Sequence, residues 1–333
     1  MGPAPPVTSR APCRFPDSKR FAFTIFDDTD VATVENVKPM YDLLHALGMR
    51  ATKTVWPVRC PEGSADFVGS QTLEDDEYRA FVVDLQRRGF EITWHSATME
   101  SSLRERTVAA FELFHKTLGA YPRVHANHAN NRENVYWGSG RIDDPILRRA
   151  FERFGGRGSD FAGHVPGSPY WWGDLCERHI TYARNLTFGE INTTAINPSM
   201  PYRDPGRPLA KWWFSATDAE GVSEFNDLLH PRHQERLESE GGVCIVATHL
   251  AKGYVRNGAV NAVTRQRLES LARRAGWFPT VSELLDHLLS QRSSGELPAG
   301  EWRRMQWRWA RDLVARKFHP RRKQRRWVNG EGR

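Results

Sequence analysis

Short apolar runs alternate with amphipathic helical patterns through the first half of this 333-residue chain, and no other feature constrains its fold as strongly. Phe21 to Phe26 reads as a strand. Met40, Leu43, Leu44 and Leu47 then mark one helical face that stops at Gly48. The unit repeats in ATKTVWPV and a helix carrying Tyr78, Phe81, Val82 and Leu85 to Gly89. FEITW gives a third strand, followed by Ser102 and Glu105, spaced as a capping box, and a helix carrying Val108, Phe111, Phe114 and Leu118. Further strands are expected in PRVHANHA, ITYARNLTF, KWWFSATD and GGVCIVATHL, with a closing helix in TVSELLDHLL. Repeated strand, helix, strand units require a parallel sheet with right-handed crossovers, so the expected class is α/β.

In such sheets the ligand site lies beyond the carboxyl ends of the strands. The residues that end these runs are Asp27 and Asp28, His95, the pair His125 and His128, Asp218, and His249. Five runs thus deliver carboxylates or imidazoles to one rim. Like carboxylates in contact cannot both ionise cheaply unless a cation or a proton lies between them. Asp28 with two imidazoles would form a three-ligand site with open positions, the arrangement of a catalytic zinc, and would leave Asp27 as a base. The competing reading makes FDDTD an acidic turn before the next helix, with Asp30 or Thr33 as its cap.

Composition narrows the function class. No apolar run approaches the roughly 18 residues of a membrane span, and the N-terminus is Pro-rich and polar where a secretory signal would be apolar. Cys13, Cys60, Cys176 and Cys244 show no C-x-x-C spacing. A reducing, cytoplasmic location is the expectation. The net charge of +7 is concentrated between Trp302 and Trp327, where eleven basic residues accompany one acid, so the body is mildly acidic and nucleic acid is not the expected partner.

Four segments resemble the polysaccharide deacetylases, the NodB-homology domain of carbohydrate esterase family 4. FTIFDD is similar to the family's first motif, FEITWHSATM to the second, IVATHL to the fifth, and GWFPTVSELLDHL to its closing strand and helix. The resemblance spans roughly Phe21 to Leu289. It implies a distorted (β/α) barrel over residues 21–290 and metal-dependent hydrolysis of the N-acetyl group of a sugar in a glycan or lipid-linked glycan. It places Asp27 on the catalytic base, Asp28 and His95 on metal ligands, most simply of zinc, and His249 on the general acid. A non-catalytic carbohydrate-binding relative and a hydrolase of another C–N bond, such as a formamide, are the alternatives.

Two positions depart from the pattern. Met99 stands where the second metal histidine belongs, and a thioether is a poor zinc ligand. The fourth strand carries His125, Ala126, Asn127 and His128 in place of an arginine segment. His128 or His125 is therefore expected as the third ligand, with His128 preferred, because alternation lets only one of them face inward. No arginine is matched to orient the base. Asp218 is expected to pair with His249, and Trp172 and Trp213 to offer aromatic faces to a sugar.

Outside the barrel, residues 1–20 read as a disordered arm and residues 291–333 as a basic tail. Trp302, Met305, Trp309 and Leu313 recur at near-helical spacing among arginines, and HPRRKQRRW follows. That profile suits a helix lying on an anionic membrane surface. Docking of the Trp stripe on the barrel is the competing expectation.

Overall fold

The computed structural model describes residues 14–154, 160–292 and 295–318. Its centre is a closed barrel of seven parallel strands: β1 (Phe21–Asp27), β2 (Ala51–Val55), β3 (Glu91–Trp94), β4 (Val124–His125), β5 (Tyr182–Phe188), β6 (Trp212–Asp218) and β7 (Val243–Thr248). β1 closes the ring by pairing with β2 on one side and with β7 on the other, in parallel from Ala22↔Val243 to Asp27↔Thr248. A two-residue strand, Gly276–Trp277, adds to the start of β1. Crossover helices Val34–Ala46, Asp76–Arg87 and Arg104–Leu118 follow the first three strands, as the periodicity requires.

Alternation sorts each strand into two layers. Phe21, Phe23 and Ile25 of β1 pack outward with the helix residues Met40, Tyr41, Leu44 and Val82. Ala22 and Phe26 point inward, with Phe214, Ala216, Ile245 and Ala247. The helix Val281–Ser290 places Leu284, Leu285 and Leu288 in this inner layer and closes the barrel's bottom. Buried apolar side chains contribute about 1.5–3 kcal/mol each, so a barrel filled on both faces holds its upper rim rigidly.

Two local expectations change. The cap of the first crossover helix is Thr33, in a capping box with Asn36, and Asp30 is left free for other work. The third crossover helix begins after Leu103 with no side-chain cap, because Ser102 is tied by its backbone N–H to Glu133. Of the expected disordered arm, residues 14–20 are ordered: Phe15 is buried against Trp277 and His287, and Arg14 bonds Gln291. Residues 1–13 lie outside the described residues.

The tail also differs from expectation. Residues Ala299–Phe318 form one helix whose Met305 and Trp309 are buried against Leu186, Phe188, Tyr202 and Trp213, with Trp302 and Leu313 packed alongside. The stripe expected on a membrane is therefore occupied by the barrel. Among the described residues no helix is long and apolar enough to cross a membrane. The HPRRKQRRW segment lies outside the described residues.

Candidate active site

Asp27 and Asp28 are neighbours that the strand sends in opposite directions. Asp27 faces the outer layer, where its carboxylate accepts from Lys53 Nζ at 3.1 Å, Tyr41 Oη at 2.7 Å and the Leu250 N–H at 2.8 Å. Both charges are fully enclosed, at 1% and 0% exposure. Burial alone would lower the Lys53 pKa, but Asp27 and Tyr78 raise it, so the lysine stays charged. Asp27 is buried on the outer side and does not line the rim cavity, so it is not placed as the expected catalytic base.

Asp28 turns inward to Arg184 of β5, which donates two hydrogen bonds to its carboxylate, at 3.0 and 2.6 Å. Burial opposes ionisation of Asp28, yet Arg184, His95 and His249 together hold its pKa below the usual carboxylate value. The sequence left no arginine matched to a rim carboxylate, and the structure places Arg184 on Asp28. It enters from a strand interior, where charge is costly unless paired.

Two residues further on, Asp30 collects the imidazoles. His95 Nε2 lies 3.5 Å and His128 Nε2 3.8 Å from its Oδ1, while His249 Nε2 and Lys252 Nζ lie 3.3 and 3.7 Å from its Oδ2. Each imidazole has its other nitrogen on an oxygen: His95 Nδ1 on the Ala126 carbonyl, His128 Nδ1 on Asn131 Oδ1, and His249 Nδ1 on the Glu220 carbonyl. Such anchors favour a proton on Nδ1 and leave a lone pair on Nε2. Trp56 backs the pair, 5.9 Å from the His95 ring and 5.5 Å from that of His128. Burial would raise the Asp30 pKa, but the neighbouring imidazoles of His249, His95 and His128 hold it well below the usual range. Burial likewise opposes charge on His249, yet Asp30 and Asp28 raise its pKa overall; burial lowers that of His128.

Asp28, Asp30, His95, His128, Asp218 and His249 all line one cavity of about 160 Å³ at the rim. Asp30 was absent from the sequence-derived site, although the same-face spacing from Asp28 to Asp30 was a usable signal. The carboxylate expected against His249 was Asp218, which lines the same cavity; Asp30 stands there, 3.3 Å from His249 Nε2. His125 is turned into the outer layer, bonded to Asn127 and set edge-on to Trp172, so it is not available as a ligand. Met99 sits with Trp56 and Cys60 in an apolar cluster. Trp172 and Trp213 are core residues at 1% exposure, their indole N–H groups spent on the Glu133 and Arg207 carbonyls, and they cannot stack on a sugar.

The residues present suit a divalent metal by their chemistry. Among the described residues no group of three or more His, Cys, Asp or Glu side chains is placed so that it could already hold a metal ion. Asp30 Oδ1 is nevertheless buried without a hydrogen-bond partner, 3.5 and 3.8 Å from the Nε2 atoms of His95 and His128. Acceptors that converge without a proton donor call for a cation between them. One carboxylate with two imidazoles is a familiar donor set for zinc and related ions.

No family model and no curated protein sequence matches this chain. Solved structures do match. A putative polysaccharide deacetylase from Mycobacterium smegmatis aligns over 87% of this chain and 98% of its own, at 13% identity and a TM-score of 0.52. The peptidoglycan deacetylase PdaC from Bacillus subtilis aligns over 84% and 95%, at 14% identity and a TM-score of 0.40. With its ring of seven parallel strands and its crossover helices, the chain has the (β/α) barrel fold of the polysaccharide deacetylases.

Proposed function

We propose that this protein is a metal-dependent hydrolase that removes the N-acetyl group of an N-acetylated sugar in a glycan. The observation that carries the reading is the division of labour on the rim: one carboxylate bound by an arginine, and beside it a second carboxylate facing three imidazoles.

Asp30, His95 and His128 would hold the metal. Both oxygens of Asp28 are taken by Arg184, whereas Asp30 Oδ1 has no donor. When bound, the ion would supply a Lewis acid for the amide carbonyl and make its water more acidic. Asp28 accepts the proton that the attacking water loses, and Arg184 fixes the direction of its lone pairs. The C–N bond then breaks to release acetate, and His249 at the cavity mouth gives a proton to the departing amine. The Glu220 carbonyl and Asp30 hold that imidazole from both sides. His95 and His128 keep their orientation through Ala126 and Asn131.

Metal content measured together with acetate release across N-acetylhexosamine glycans tests this directly. Asp30→Ala should lose the metal and the activity together. A purified protein that binds no divalent ion, or whose Asp28→Asn variant releases acetate at the parent rate, would refute the assignment.

A further inference from the structure

Arg141 ends the short turn Gly138–Arg141 and lies on the wall of the same cavity. Its guanidinium carbon is 3.9 Å from the ring centre of Trp137 and 4.8 Å from that of Trp309 in the tail helix. Nε donates a long hydrogen bond, 3.4 Å, to the Gly138 carbonyl. Among the described residues no carboxylate stands within ion-pair distance of it. Its neighbours differ in this respect: Arg184 has Asp28, and Arg207 has Asp143 and Asp204.

A half-buried guanidinium on a cavity wall without a counter-ion bears part of the desolvation cost of an unpaired charge. Burial and the like charges of Arg184 and Arg207 push its pKa down to about 9, and at neutral pH it still carries its proton. Indole faces offset part of the cost through cation–π attraction, yet they satisfy none of the N–H donors. Those donors form a planar fork that fits a carboxylate or phosphate. Asn185, whose Oδ1 is buried without a hydrogen-bond partner, lines the same cavity.

We propose that Arg141, held between Trp137 and Trp309, binds an anionic substituent on the substrate sugar, a carboxylate or a phosphate, and so sets the enzyme's preference for acidic glycans. The proposal rests on the deacetylase reading of this cavity and adds the charge of what enters it.

The test compares acetate release from a neutral N-acetylglucosamine oligomer, an N-acetylated aminouronate and an N-acetylglucosamine phosphate, by the parent, Arg141→Lys and Arg141→Met. The parent should favour an anionic substrate by about 10- to 100-fold in kcat/KM, the range expected for hydrogen bonds to a charged group. Arg141→Met should bring the ratio of anionic to neutral kcat/KM towards one. Arg141→Lys should restore part of it, because it keeps the charge and loses the fork. The preferred acid distinguishes carboxylate from phosphate. A parent ratio near one, or a ratio unchanged in Arg141→Met, overturns the proposal. A readout without turnover separates the two readings: tryptophan fluorescence titrated with glucuronate and with inorganic phosphate, using variants shown to be folded by circular dichroism. Saturable quenching that Arg141→Met abolishes supports the anion site even if no acetate is released, and the deacetylase reading then falls alone. Acetate release from neutral sugar without saturable anion binding overturns the anion site alone, and absence of both overturns both.

Discussion

Asp27 and Asp28 are adjacent in sequence, both buried, and each is paired with one cation, yet they occupy opposite faces of β1 and different chemical regimes. Asp27 is closed in: a lysine, a tyrosine and a backbone N–H surround it in a layer packed with helix side chains. Asp28 is held by one arginine on the wall of a cavity, with imidazoles nearby. Identical side chains thus separate into an ion pair closed inside the outer layer and an ion pair on a cavity wall through a single step of strand alternation. What distinguishes them is whether anything outside the protein can reach the carboxylate.

Substitutions can break that comparison, and Asp28→Asn should have the largest effect. Loss of a base is expected to lower kcat by about 10²–10⁴-fold, together with some loss of stability because Arg184 is left without its partner. Asp27→Asn should act through stability alone, destabilising the fold by about 3–5 kcal/mol because Lys53 is left as an uncompensated buried charge. Urea denaturation measures this, and adding Lys53→Met should recover much of the loss. If Asp27→Asn instead abolishes turnover in a protein of parental stability, the assignment of the two carboxylates is reversed.

A third enclosed carboxylate, Glu133, sharpens the comparison because no cation pairs with it among the described residues. It accepts from the Ser102 N–H and from Asn131, the residue that anchors His128. Burial pushes its pKa up to about 7 against an ordinary 4.5, with those hydrogen bonds opposing. Between these two pH values the folded protein keeps a proton that the unfolded chain has released, so stability should fall as pH rises, by up to about 3 kcal/mol at pH 8. Glu133→Gln should flatten that dependence in unfolding curves recorded from pH 4 to 8. The smallest effect belongs to the exposed pair of Lys38 and Asp42, 2.6 Å apart on a helix surface. Lys38→Ala should change stability by less than about 0.5 kcal/mol.

The barrel was legible in the sequence because each strand is an apolar run that ends abruptly in polar residues, and the alternation of such runs with helices admits few topologies. The rim was partly legible for the same reason: Asp28, His95, His128, Asp218 and His249 do meet in one cavity. The register of the acidic turn was not. FDDTD holds three aspartates, and only the backbone's path past Asp28 decides which of them faces the imidazoles. Arg184 was hidden because its partner lies 156 residues away in sequence, and a lone arginine inside a strand carries no local signal. The Trp pairs failed for a related reason. Residue 213 is turned inward by alternation along β6, and residue 172, at the start of the helix Gly173–His179, is packed against Trp94 and Phe111. The tail's Trp stripe was ambiguous in principle, since lipid and a barrel flank are both apolar surfaces. Leu186, Phe188 and Tyr202 supply the flank here.

Trp309 stands on one side of Arg141, and it comes from the helix that follows every barrel strand in the chain. A nascent polypeptide that folds from its N-terminal side assembles the rim carboxylates and imidazoles before this indole has been synthesised. On the proposed reading, Arg141 and Trp137 are made before Arg184 and His249, and only the second indole of the anion site comes later. A change confined to the last helix would then alter that site without altering a residue that handles the proton.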